Sequence, residues 1–217
     1  MFEIEMKFEV KSPKVFNQIG WRKQLAGYRL SDQEMVQQLD VYFDTKTGRL
    51  LRNHAALRVR KKDAEYFAVF KTQLDGNYVR TEVKTPLTES QAQEILNGNF
   101  TDTSIEAVQA ALIYLQGETV YPVLRVENPR EVWMIHNRNE GRMSTKQESV
   151  KVCFDDVRYT SNGSRGIEEY ELELELKEGE AGFLHKLSEA LSQQYGLRMV
   201  HESKYQRGVQ LLNIFSI

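Results

Sequence analysis

The stretch MFEIEMKFEV (residues 1–10) decides how the chain is read. Phe2, Ile4, Met6, Phe8 and Val10 are apolar, and Glu3, Glu5, Lys7 and Glu9 between them are charged. A strict period of two describes an antiparallel strand with one dry and one polar face. That polar face carries two carboxylates and then an ammonium. It suits a solvated surface, or the lining of a charged site.

The same alternation recurs downstream. MVQQLDVYFDT (35–45), AALRVRKKD (55–63), EYFAVFKTQL (65–74) and YVRTEVKTPL (78–87) read as strands. Asp75–Asn77 is a hairpin signal between the last two. Residues 121–144, 148–160 and 167–179 read as three further strands, with a turn at 161–166. Helices are expected after Ser12 as N-cap, with Pro13 at the first helical position and Gly27 near the stop. Others are expected over 88–97, where Thr88 and Gln91 are spaced as a capping box, over 104–115 and over 181–197, with a last turn or two in 203–212. The count is about eight mostly antiparallel strands in a single α+β domain, residues 1–217, which favours a closed or nearly closed barrel over an open sheet.

Composition is that of an ordinary globular chain: 217 residues, 41% hydrophobic and 28% charged, enough for a sizeable core. The net charge of −2 gives no global attraction to nucleic acid or to an anionic membrane. The single cysteine, Cys153, cannot form an intrachain disulfide and reads as a small core residue in a reducing compartment. With acidic residues at Glu3 and Glu5, no signal-like start and no apolar run near the roughly 20 residues of a spanning helix, the expected location is the cytoplasm.

Function must therefore come from local segregation of charge. Arg58 and Arg60 share one face of LRVR; Lys71 shares a face with Val69; Arg80, Glu82 and Lys84 share another; Glu171, Glu173 and Glu175 alternate with leucines. The plain reading is a set of water-facing strands. Against it, the faces run nearly pure in sign, and like charges two apart on a strand repel unless something compensates. A metal–polyphosphate complex compensates both kinds, since carboxylates take hard cations and Arg and Lys take phosphate oxygens. His54, His136, His185 and His201 are scattered without ligand spacing, Trp21 and Trp133 read as core, and no nucleotide-binding glycine loop or nucleophile elbow occurs.

EIEMK (3–7) resembles the N-terminal E-x-E-x-K signature of the CYTH superfamily, the triphosphate tunnel metalloenzymes. YFDT, LRVR, the lysine of FK, RTE, REVW, CFDDV, ELELEL and SKY follow in the family's order over nearly the whole chain. The resemblance implies an eight-stranded antiparallel tunnel with helices packed outside and charged faces lining it. It implies a metal set of Glu3, Glu5, Asp155, Glu171 and Glu173. It also implies a phosphate-binding set of Lys7, Arg58, Arg60, Lys71, Arg130 and Lys204, with Arg80 and Glu82 on a matching strand. Glu175 stands as an alternative to Glu171, Asp156 to Asp155 and Arg125 to Arg130. The implied reaction is Mg²⁺- or Mn²⁺-dependent hydrolysis of a small-molecule triphosphate, with Glu5, Lys7 and Glu171 in catalytic roles. SKYQRG behind ELELELKEG looks most like the bacterial inorganic triphosphatases. Ala56 stands where animal thiamine triphosphatases carry an aromatic, and no motif marks the adenosine pocket of a class IV adenylate cyclase. A polyphosphate- or nucleotide-binding module without catalysis is the non-enzyme alternative, and dimers occur in the family.

Overall fold

The computed structural model describes residues 2–73, 79–138, 147–161 and 166–215. In chain order the elements are β1 (Phe2–Val10), α1 (Lys14–Arg22), β2 (Gln24–Leu25), β3 (Tyr28–Asp44), α2 (Arg49–Arg52), β4 (Ala55–Lys62), β5 (Glu65–Gln73) and β6 (Val79–Leu87). Then come α3 (Glu89–Leu96), α4 (Glu106–Leu115), β7 (Tyr121–Arg138), β8 (Gln147–Thr160), β9 (Ile167–Glu178), α5 (Ala181–Tyr195), β10 (Arg198–Val200) and α6 (Lys204–Leu212). The expected hairpin turn at Asp75–Asn77 and most of the turn at 161–166 lie outside the described residues.

The described sheet holds ten strands, not eight, in the order β10-β1-β6-β5-β4-β3-β7-β8-β9, with β2 beside β3. The two additions, β2 and β10, are two and three residues long and too short to show a period. All pairings are antiparallel, and β1 also pairs with β9. Phe2–Ile4 of β1 lie opposite β6, and Glu5–Val10 lie opposite β9. Lys7–Glu9 lie between β9 and β10, whereas Phe2–Ile4 pair with β6 and not with β9, so the wall is staggered across β1. The expected closed eight-stranded barrel is therefore found as a mostly antiparallel sheet that no continuous ladder closes.

The two faces of this sheet are used in the reverse of the usual sense. The apolar face points outward under helices. Met6, Phe8 and Val10 pack with Trp133, Val152, Phe154, Leu172 and Leu174 beneath Ile19 of α1 and Phe183, Leu184, Leu187 and Leu191 of α5. Leu57, Val59, Ala68 and Phe70 are covered by α2, α3 and α4 through Leu50, Ile95 and Val108. Each such side chain removed from water contributes on the order of 2 kcal/mol, so the covered face fixes the register of every strand. The charged face is left to point inward. At one end the inner face is apolar, where Tyr42, Leu124, Val126, Val157 and Tyr159 receive Tyr205 and Val209 of α6.

Local signals were mostly followed. Thr88 and Gln91 form the expected capping box, and Ser203 and Gln206 form a second one, which makes α6 a nine-residue helix rather than a loose turn. Helix α1 departs from expectation: Pro13 is the N-cap, Ser12 lies before it, and the helix stops at Lys23 in the left-handed region instead of at Gly27. Trp21 is also corrected, since it is 88% exposed, whereas Trp133 is core. Strand β3 begins seven residues before Met35, because a register shift between Ser31 and Glu34 breaks the alternation there.

Helix α6 stops that end by close approach. A Cβ on Gly208 would come within 2.6 Å of Leu124 Cδ2 and 2.8 Å of Tyr159 Cδ1. Gly208→Val is expected to cost about 2–3 kcal/mol by overpacking. Thermal denaturation with a midpoint equal to that of the parent would refute this seating of α6.

Candidate active site

The inward face encloses a cavity of about 330 Å³. Glu5 and Lys7 reach it from β1, Arg58 and Arg60 from β4, Lys71 from β5, Glu82 from β6, Arg130 from β7, Glu173 from β9 and Lys204 from α6. The inward orientation expected of the charged faces is thus what the described side chains adopt. Glu3 and Arg80 are opposite each other on β1 and β6, and their side chains lie outside the described set.

Glu173 joins the cavity to a carboxylate cluster packed behind its wall. The ladders set Arg130 opposite Asp155, and Asp155 opposite Glu171. Oxygens of Asp155, Glu171 and Glu173 all lie within 4.8 Å of one another. Arg130 donates both edges of its fork to Asp155, with Nε to Oδ1 and Nη2 to Oδ2 each at 2.6 Å, and bonds Glu173 as well. Lys204, 7% exposed, enters from the first turn of α6 and donates to Asp155 at 2.8 Å, to Glu173 at 2.7 Å and to Glu171. Asp155 is 0% exposed. Burial pushes the Glu171 carboxyl up to about 7 against the pull of Lys204. Burial acts on Glu173 too, but Arg130 and Lys204 overcome it and hold that carboxyl well below the usual range.

Three residues of the expected metal set therefore come together, and Glu5 faces the same cavity. Of the alternatives, Glu175 also lines the cavity, where it is paired with Lys151 and Lys177. Asp156 points to solvent, and Arg125 is an exposed partner of Glu127. The donor chemistry fits a hard divalent cation: three carboxylates converge where a single ammonium, that of Lys204, already sits on all of them.

Elsewhere the charged lining is mainly basic. Arg60 grips Asp40 through Nε and Nη2, each at 2.7 Å, while Arg58 Nη1 reaches Asp40 at 3.2 Å and the Tyr42 hydroxyl at 2.9 Å. Lys71 pairs with Glu82 at 2.7 Å, and Lys7 donates to the Glu202 carbonyl. Lys62, Lys84 and Lys151 also line the space. The sequence reading did not single out Asp40 as a site residue. Asp40 alternates with the outward Leu39, Val41 and Phe43, and only the arginine-rich face of β4 opposite it could have pointed to an inward acid.

Cys153 lies on the inner wall, in contact with Val36 and Val132 rather than in the helix-covered core. Burial pushes its thiol up to about 11, which leaves it a packing residue and not a nucleophile. Among the described residues no helix is long and apolar enough to cross a membrane.

Residues 1–209 match the family model described as the CYTH domain. A Bacillus halodurans protein provisionally called an adenylate cyclase has the same fold at a TM-score of 0.67 and 22% identity, covering 94% of this chain and 96% of that one. HpAC1 from Hippeastrum, provisionally called an adenylyl cyclase and described with a dominant triphosphatase activity, gives 0.59 at 17% identity over 97% and 96% of the two chains. The PH1819 protein of Pyrococcus horikoshii OT3 gives 0.59 at 16% identity over 97% and 98%. No curated protein matches the chain.

Proposed function

Because the chain belongs to the CYTH family, we propose that it is a metal-dependent triphosphatase that cleaves inorganic tripolyphosphate into diphosphate and phosphate. The observation that carries this reading is the meeting of two opposite charge sets on one cavity: Arg58, Arg60 and Lys71 line it together with Glu5 and Glu173, and Glu173 is the cavity-facing corner of the carboxylate cluster it forms with Asp155 and Glu171. A metal-bound chain of phosphates needs both at once. The staggered wall acts in this reading as a tunnel, with α6 as the stopper of one end.

The phosphates carry roughly four negative charges near neutral pH, and the transition state spreads charge over the transferred group. Arg58, Arg60 and Lys71 hold the chain, and Lys7 offsets charge on the group being cleaved. Asp155, Glu171 and Glu173, with Glu5 and Glu3, would hold Mg²⁺ or Mn²⁺. When bound, that ion polarises phosphoryl oxygens and lowers the pKa of attacking water. Glu5, which lines the cavity beside Glu173, or Glu171 would accept the proton of the water.

A second reading, adenylate cyclase, is supported by the provisional assignment of the Bacillus halodurans fold relative. It requires a seat for adenine, for which the uncharged lining includes Leu51, His54, Ala55 and Ala56. One set of incubations separates the two. Purified protein with Mg²⁺ is expected to release phosphate and diphosphate from tripolyphosphate, and excess chelator is expected to stop it. Cyclic AMP from ATP would establish the cyclase instead. Tight tripolyphosphate binding without turnover would reduce the protein to a binding module.

A further inference from the structure

We infer that Asp40 is the positioning residue of the substrate-holding arginines and acts on the triphosphate through Arg58 and Arg60; the assignment rests on the triphosphate reading. Asp40 is 2% exposed, too enclosed to touch substrate itself. Its ladder neighbours are Arg60 on β4 and the apolar Val126 on β7. Both of its oxygens are spent on guanidinium groups, and the Arg60 contact is a two-pronged fork.

The contacts decide which edges of the arginines remain available. Arg58 is clamped at Nη1 by Asp40 and by the Tyr42 hydroxyl. Tyr42 is itself stacked on Tyr205 of α6 with ring centroids 5.2 Å apart and planes 11° apart, and the Tyr205 hydroxyl donates to Asp44 at 2.6 Å. Held there, Arg58 keeps a buried Nε with no partner among the described residues. Arg60, bound by Nε and Nη2, has Nη1 left over. One carboxylate against two guanidinium groups leaves a net positive charge. It also relieves the repulsion that would drive the two arginines, on the same face of one strand, apart. Asp40 thus turns two flexible cations into a fixed anion-binding surface, with Arg60 Nη1 free in a defined direction before the phosphates arrive.

Asp40→Asn tests this, because the amide keeps the shape but loses the charge and turns a donor toward a guanidinium. Tripolyphosphate affinity is measured by calorimetry in chelator, so that no metal and no turnover enter. The expected result is a roughly tenfold or greater loss of affinity for Asp40→Asn, with part of it restored in Asp40→Glu. In an Arg60→Ala background the same Asp40→Asn change is expected to cost less than twofold, since a residue that acts through another has nothing left to act on. Affinity unchanged in Asp40→Asn, or a penalty of equal size with and without Arg60, overturns the assignment; equal penalties are what a purely structural role would give. Wild-type protein that binds no tripolyphosphate in chelator overturns this assignment, and one that binds none with Mg²⁺ either overturns the triphosphate reading itself.

Discussion

Arg130→Ala is expected to lower the thermal midpoint by about 10 °C. Asp155 is 0% exposed and receives both edges of the Arg130 fork. Removing the guanidinium leaves Asp155, Glu171 and Glu173 against Lys204 alone, with Lys7 further off. Breaking a buried pair from one side costs about 3–5 kcal/mol, because the remaining charge keeps its desolvation penalty. For a domain of this size, each kcal/mol moves the midpoint by roughly 2–4 °C. Arg130→Lys keeps the charge but not the planar fork and is expected to fall between the two. Melts followed by circular dichroism decide it. A midpoint for Arg130→Ala within 2 °C of the parent would mean that Asp155 is satisfied some other way.

Glu173→Gln has the opposite profile, with the fold kept and turnover lost. Its carboxylate faces Arg130 and Lys204, so the substitution removes one negative charge from a group with three carboxylates and two close cations. Asp155 and Glu171 then balance Arg130 and Lys204, and the near-isosteric amide still accepts from one of them. Stability is therefore expected to stay within about 1 kcal/mol. Turnover of tripolyphosphate is expected to fall roughly a hundredfold or more, the scale on which loss of a preorganised charged group acts at a reacting centre. The Glu171 carboxyl is also expected to drop, since Glu173 is one of the groups that raise it. Nuclear magnetic resonance titration of Glu171 checks that shift. A variant with parental rates would remove Glu173 from the proposed metal set.

The contrast between these variants follows from something the sequence displays only in part. The alternation of residues 2–10 and 171–176 made the strands legible, and Thr88 with Gln91 announced their capping box. Which face turns inward was not legible from alternation, since a water-facing strand and a tunnel-lining strand have the same period. The answer lies with distant residues such as Leu184 and Leu187 of α5, which claim the apolar face for the outside. Strands β2 and β10 were too short for any pattern, and the bulge after Ser31 hid the start of β3. Within the site, acids and bases were read as two separate sets, whereas the structure interleaves them. Arg130 and Lys204 sit among carboxylates, and Asp40 sits between arginines. Charges of one sign cannot line a dry wall alone, so each group imports its counter-ion from an element far along the chain. Asp40 went unremarked for the same reason: its partners are 18 and 20 positions away, on a strand whose register only the fold supplies.

The staggered seat of β1 has a kinetic consequence. Glu5 and Lys7 reach their places opposite Glu175 and Glu173 only when segments some 170 positions apart meet. Such a contact carries a large loop-closure entropy and forms late. The hairpin-linked strands β4 and β5 can assemble the arginine wall early, but the acidic wall gains Glu5 only when β1 docks on β9. A nascent chain can thus bring its arginines into register well before the site holds all its acids, and competence arrives in a single late event.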